Sequence, residues 1–180
     1  MKQLILSFSI FSLFFVGCGD SGSDHSHHGH GLDHSSAAVP EPPQNPITVV
    51  NGVTVVEITG NDRMKYNLET FTVPAGSSVK VNFSNVGKMP KTSMGHNVVF
   101  LKADTDEGAF VSAAASARDN DYIPVDLETQ ILATTKMLGP GESDVIEFTA
   151  PSEPGKYVFL CSFPAHMFAG MRGVMVVESF

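Results

Sequence analysis

Val158-Phe159-Leu160-Cys161-Ser162-Phe163-Pro164-Ala165-His166-Met167-Phe168-Ala169-Gly170-Met171 is the stretch from which the rest of the chain can be read. It carries a thiol, an imidazole and a thioether at Cys161, His166 and Met171, between the strand-like runs Tyr157–Cys161 and Gly173–Glu178. Thiolate, thioether and imidazole together form the soft and borderline donor set that copper prefers. A second imidazole has one source. Five of the seven histidines lie near the N-terminus, which leaves His96, in Met94-Gly95-His96-Asn97. Pro164 fixes its own φ and pushes Phe163 toward extended backbone, so Cys161 sits at a strand end while His166 comes round on a stiffened loop. The small pair Ala169-Gly170 allows a tight path back to Met171.

Outward from this stretch, the pattern is that of strands. Val53–Ile58 follows an Asn51-Gly52 turn signal, and Tyr66–Val73 forms a second run ended by Pro74-Ala75-Gly76. In Val79–Ser84 strict alternation turns Val79, Val81 and Phe83 inward. A loop from Asn85 to Gly95 precedes the apolar run Asn97–Leu101, and Ile131–Met137 and Val145–Thr149 resume strand character around Gly139-Pro140-Gly141. Residues 104–118 differ: Asp104 and Glu107 have capping spacing, and Phe110, Ala113, Ala114 and Ala117 recur at helical intervals, which predicts one short helical insertion. About seven or eight short strands with turn punctuation predict an all-β fold, an antiparallel Greek-key β-sandwich.

The chain has 180 residues and a formal charge of −8, enough for one domain with appendages. An acidic balance argues against nucleic acid, whose binding needs a basic footprint. Residues 1–17 combine Lys2, an apolar run from Leu4 to Val16 and small Gly17 before Cys18, the proportions of a secretory signal. Phe15-Val16-Gly17-Cys18 resembles a bacterial lipobox, in which Cys18 becomes the lipidated first residue. If Cys18 is acylated, Cys161 has no disulfide partner, and a free thiol in an oxidising compartment points to a metal ligand. Residues 18–46 then form a polar tether holding His25, His27, His28, His30 and His34. Such tracts bind copper, nickel or zinc loosely, so the tail serves either copper capture or merely as a spacer. The folded domain spans 47–180.

Cys161-x4-His166-x4-Met171 together with Met94-Gly95-His96-Asn97 resembles the cupredoxin (type 1 blue copper) family, azurin and especially auracyanin. Gly60–Tyr66, Val86–Lys91 and Thr135–Gly139 are similar to azurin segments, so the resemblance covers roughly residues 53–178 and gives the sandwich a cupredoxin-like form. It implies one copper held by His96, Cys161 and His166, with Met171 as a weak axial ligand and the Gly95 carbonyl as a possible weak contact. It also implies that Asn97 ties the His96 strand to the Cys161 loop, and that backbone N–H groups near Phe163, held by Pro164, donate to the sulfur. Departures from azurin are one extra residue between His166 and Met171, as in auracyanin, Ala165 where Gly is usual, Val98 where Trp is common, and the absence of the disulfide cysteines.

The resemblance implies a monomeric electron-transfer protein, not an enzyme, that shuttles single electrons between redox partners such as cytochromes or respiratory complexes. With the lipid anchor, this places it on the membrane of a bacterial cell envelope, on the periplasmic or outer-face side. Met89, Met94, Met167, Phe168 and Ala169 are expected to form an apolar docking patch around the edge of His166. The alternative is a copper carrier or scavenger using the histidine tail. Copper oxidases and nitrite reductases need further histidine-rich centres, whereas this domain contains only His96 and His166.

Overall fold

The computed structural model describes residues 45–179; the signal segment, Cys18 and the five histidines of the tether lie outside the described residues. In chain order the strands are β1 (Ile47–Val50), β2 (Val53–Asn61), β3 (Lys65–Tyr66), β4 (Thr70–Pro74), β5 (Ser78–Asn85), β6 (Val99–Leu101), β7 (Ile131–Thr134), β8 (Ser143–Thr149), β9 (Gly155–Leu160) and β10 (Arg172–Glu178). One helical turn, α1 (Lys91–Met94), precedes β6, and a helix, α2 (Glu107–Ala114), follows it.

Two sheets form a cupredoxin-like sandwich. One has the order β1-β2-β5-β8, with β3 paired to β2, and the other has the order β4-β10-β9-β6-β7. Alternation drives the layering: Val56 and Ile58 of β2 and Val79, Val81 and Phe83 of β5 are buried against Phe71, Val73, Phe100, Phe159, Met175 and Val177 of the other sheet. At the β1–β2 hairpin Asn51 and Gly52 both take positive φ, 51° and 82°, as a two-residue turn of matching twist requires.

The sheets are mixed, not purely antiparallel, because β2 pairs with β5 and β4 with β10 in parallel. The cause is the crossing between layers. Tyr66–Val73 is not one strand: Asn67 binds back to β2, its side-chain oxygen accepting from Thr59 N at 2.7 Å and its amide donating to Glu57 O at 3.1 Å. The chain then passes to the second sheet as β4, so successive strands do not become hairpin neighbours. β7 is also shorter than expected, ending at Thr134.

The insertion is shorter as a helix and longer as a segment than the spacing predicts. Its cap is Asp106, which accepts from Ala109 N at 2.9 Å, whereas Asp104 adopts φ 62° and its side chain caps no N–H among the described residues. Phe110, Val111 and Ala114 face inward, and two 3-10 turns, Arg118–Asn120 and Val125–Gln130, complete the passage to β7. Phe110 and Val111 pack with Val99, Leu101, Leu160 and Met167 in a second core cluster beneath the helix.

Candidate metal centre

The end of the sandwich is set by the pairing of β6 with β9, in which Val99 lies opposite Leu160. Continuing that antiparallel register by two residues places Asn97 opposite Ser162. The side chains lock it there: Asn97 Nδ2 donates to Ser162 Oγ at 2.8 Å, and Asn97 Oδ1 accepts from Ser162 N at 2.9 Å. His96 is fixed from its other side by a bridge to Leu138, with His96 N donating to Leu138 O at 3.1 Å and Leu138 N to His96 O at 2.7 Å. Two segments 65 residues apart in sequence thus present His96 and Cys161 to one point.

The loop after β9 supplies the remaining groups. His166 N donates to Phe163 O at 3.1 Å, Met171 N to His166 O at 2.9 Å, and Cys161 N to Met171 O at 3.1 Å, which closes the loop on itself. The ligand atoms of His96, Cys161 and His166 lie within 4.8 Å of one another, all three residues being buried. The two Nδ1 atoms are 3.2 Å apart, and Cys161 Sγ is 3.5 Å from His166 Nδ1 and 3.9 Å from the Gly95 carbonyl oxygen. Met171 is fully buried. Its methyl group and the Cβ of His96 both crowd the space above Gly60, where an added Cβ would meet them at 2.8 and 3.4 Å. Gly95 is tight for a similar reason, since a Cβ there would come 2.8 Å from the Lys91 carbonyl oxygen.

Burial favours the neutral form of all three groups. Burial pushes the Cys161 thiol up to about 12, although backbone N–H groups of Asn97 and Phe163 point at the sulfur and oppose the rise. Burial, with the nearby His96, lowers His166 to about 4. His96 is also lowered, chiefly by burial and against the pull of Asp62 and the Asn61 backbone, and its Nε2 has no hydrogen-bond partner among the described residues. At neutral pH the chain therefore holds two neutral imidazoles beside a protonated thiol. The N–H donors aimed at that sulfur suit a thiolate, and a bound metal ion displaces the thiol proton. Two nitrogens, one sulfur and a nearby thioether fit copper among the common metals.

Of the patch residues, Phe168 is 70 % exposed, Met89 is 42 % exposed and Ala169 is exposed, while Met94 is half-buried. Met167 does not belong with them. The loop makes a helical turn there, with Ala169 N donating to Ala165 O and Gly170 N to Met167 O, and this sends Met167 into the second core cluster. His166 itself is only 3 % exposed. Pro164 is half-buried, and Ala165 takes φ 69°, a conformation natural for Gly and strained for Ala.

Four contributors escaped the sequence reading of the site. Tyr66 is buried between Phe83 and Phe159, and its hydroxyl donates to the Asn97 carbonyl. Ser162 completes the Asn97 clamp. Lys65 donates from Nζ to Ala169 O at 2.8 Å, tying the far end of the loop to β3, and Gly60 leaves room for Met171. All four lie within the segments that carry the resemblance, but their roles depend on contacts between distant segments.

Comparison with known proteins agrees with this donor set. Residues 53–178 match the model for copper binding proteins of the plastocyanin/azurin family. Azurin of Pseudomonas aeruginosa is 36% identical over 126 residues, covering 68% of this chain and 84% of that protein. Azurin iso-2 of Methylomonas sp. strain J is 38% identical over 125 residues, covering 67% and 95%. Among solved structures, dithionite-reduced auracyanin from the photosynthetic bacterium Roseiflexus castenholzii superposes with a TM-score of 0.63 and 41% identity, over 73% of this chain and 99% of that one. With a two-sheet sandwich, a buried His-Cys-His cluster and a family match over residues 53–178, the chain belongs to the plastocyanin/azurin family of copper-binding proteins and is a blue-copper electron-transfer protein with copper as its cofactor.

Proposed function

We propose that this protein is a membrane-tethered electron shuttle of a bacterial envelope, with Cys18 as its lipid attachment point and single electrons exchanged with soluble or membrane redox proteins near His166. The observation that carries the electron-transfer reading is the convergence of Cys161 Sγ with the two Nδ1 atoms in a buried site. His96 Nδ1, His166 Nδ1 and Cys161 Sγ would hold the copper, with Met171 and the Gly95 carbonyl as further, weaker donors. Copper bound there supplies a one-electron couple.

The chain's own residues do the rest. Asn97 and Ser162 hold the two ligand-bearing segments in register, so the donors keep their places in both oxidation states. The Asn97 and Phe163 N–H groups stabilise sulfur charge, and the surrounding core excludes water. Met89, Phe168 and Ala169 form the apolar rim on which a partner docks, and a small rim suits a partner that must leave quickly.

Copper added to the chain lacking residues 19–45 is expected to produce the intense blue band of the parent at equal strength. A band that disappears with the tail would favour the carrier reading instead. Met171→Leu is expected to keep the band and raise the reduction potential, because loss of a weak donor disfavours Cu(II). A potential identical to the parent's would remove Met171 from the ligand set.

A further inference from the structure

The passage from α2 to β7 contains two residues in succession in the left-handed region, Asp121 at φ 50° and Tyr122 at φ 59°. Neither is glycine, and a bulky side chain is crowded in that conformation. Several contacts hold the turn: Tyr122 N donates to Ala117 O at 3.0 Å, Ile123 N to Asn120 O at 2.9 Å, and Asn120 Nδ2 to Ile123 O at 2.8 Å. Lys91, beside the metal centre, lies 3.9 Å from the Asp121 carboxylate. Strain maintained in this way marks a position whose placement matters.

The turn places the Tyr122 ring. Its centre is 4.9 Å from that of Phe163, and the Phe163 ring in turn stacks on His166 at 4.6 Å with 30° between planes. The Phe163 N–H also points at the Cys161 sulfur. An aromatic column therefore runs from the insertion to the imidazole nearest the surface. The Tyr122 hydroxyl makes no hydrogen bond among the described residues, so the ring is the working part.

We propose that Tyr122 is a positioning residue of the metal centre: it clamps Phe163 flat against His166, fixing the imidazole and shielding it from water. This rests on the reading that Cys161 and His166 hold the copper. An apolar wall beside a metal site sets solvent access and, through it, the reduction potential. Removing the ring admits water, which favours the more highly charged Cu(II).

Three copper-loaded forms of the full chain decide the matter: parent, Tyr122→Phe and Tyr122→Gly. The glycine relieves the left-handed backbone, so failure to fold is not the obstacle. Tyr122→Gly is expected to show a lower reduction potential and severalfold faster bleaching of the blue band by added azide, while Tyr122→Phe matches the parent on both. In the copper-free chain, the His166 ring resonances of Tyr122→Gly are expected to broaden relative to the parent. A Tyr122→Gly form with parental potential, bleaching rate and His166 resonances overturns the proposal, as does a Tyr122→Phe form displaced as far as the glycine. Absence of a blue band in the parent instead overturns the ligand reading beneath it.

Discussion

Cys161→Ser is expected to abolish the blue band completely while leaving the fold intact. The band requires charge transfer from a thiolate, and Cys161 is the only thiol in the folded domain. Serine is close in size, and the N–H groups of Asn97 and Phe163 that point at the sulfur remain to bind its hydroxyl, so burial of the added polar group costs at most about 1–3 kcal/mol. Copper affinity should fall by more than the roughly 10–100-fold typical of a lost supporting contact, because a ligand itself is removed. Visible absorption and a thermal melt on the same sample separate loss of the ligand from loss of structure. A variant that melts cooperatively and remains blue would remove Cys161 from the centre.

The second large effect is expected at Asn97. Asn97→Ala deletes both amide contacts to Ser162 and leaves its N–H and hydroxyl without these partners in a fully buried position. Each unpaired group costs about 1–3 kcal/mol, so the copper-free domain should lose about 3 kcal/mol of stability. A shift in denaturant midpoint with an unchanged slope would report that loss. A loss below about 1 kcal/mol would mean that the clamp does not hold the two ligand-bearing segments together. The Tyr66 hydroxyl, bound to the Asn97 carbonyl, braces the same residue from the core side.

Much of the strand content was legible because alternation is local. Val79, Val81 and Phe83 had to face one way whatever the fold, and they lie in the core. The insertion was legible only in part. Its apolar spacing showed a helix, but the cap moved from Asp104 to Asp106, because backbone geometry rather than spacing decides which carboxylate meets a free N–H. The parallel pairings were not legible at all, since they depend on where the chain crosses between sheets, and Asn67 sets one such crossing through contacts with β2.

The metal centre divides in the same way. By itself the sequence named the candidate donors: a thiol, two imidazoles and a thioether, three of them carried on one loop, because donor softness belongs to the side chain and short spacing constrains a loop directly. Only the tertiary structure decided that His96 Nδ1 stands 3.2 Å from His166 Nδ1, that Met167 turns inward while Phe168 turns out, and that Tyr122 reaches Phe163. Each of these follows from strand register, loop curvature or a strained turn, and such features arise from packing among distant segments that no local pattern encodes.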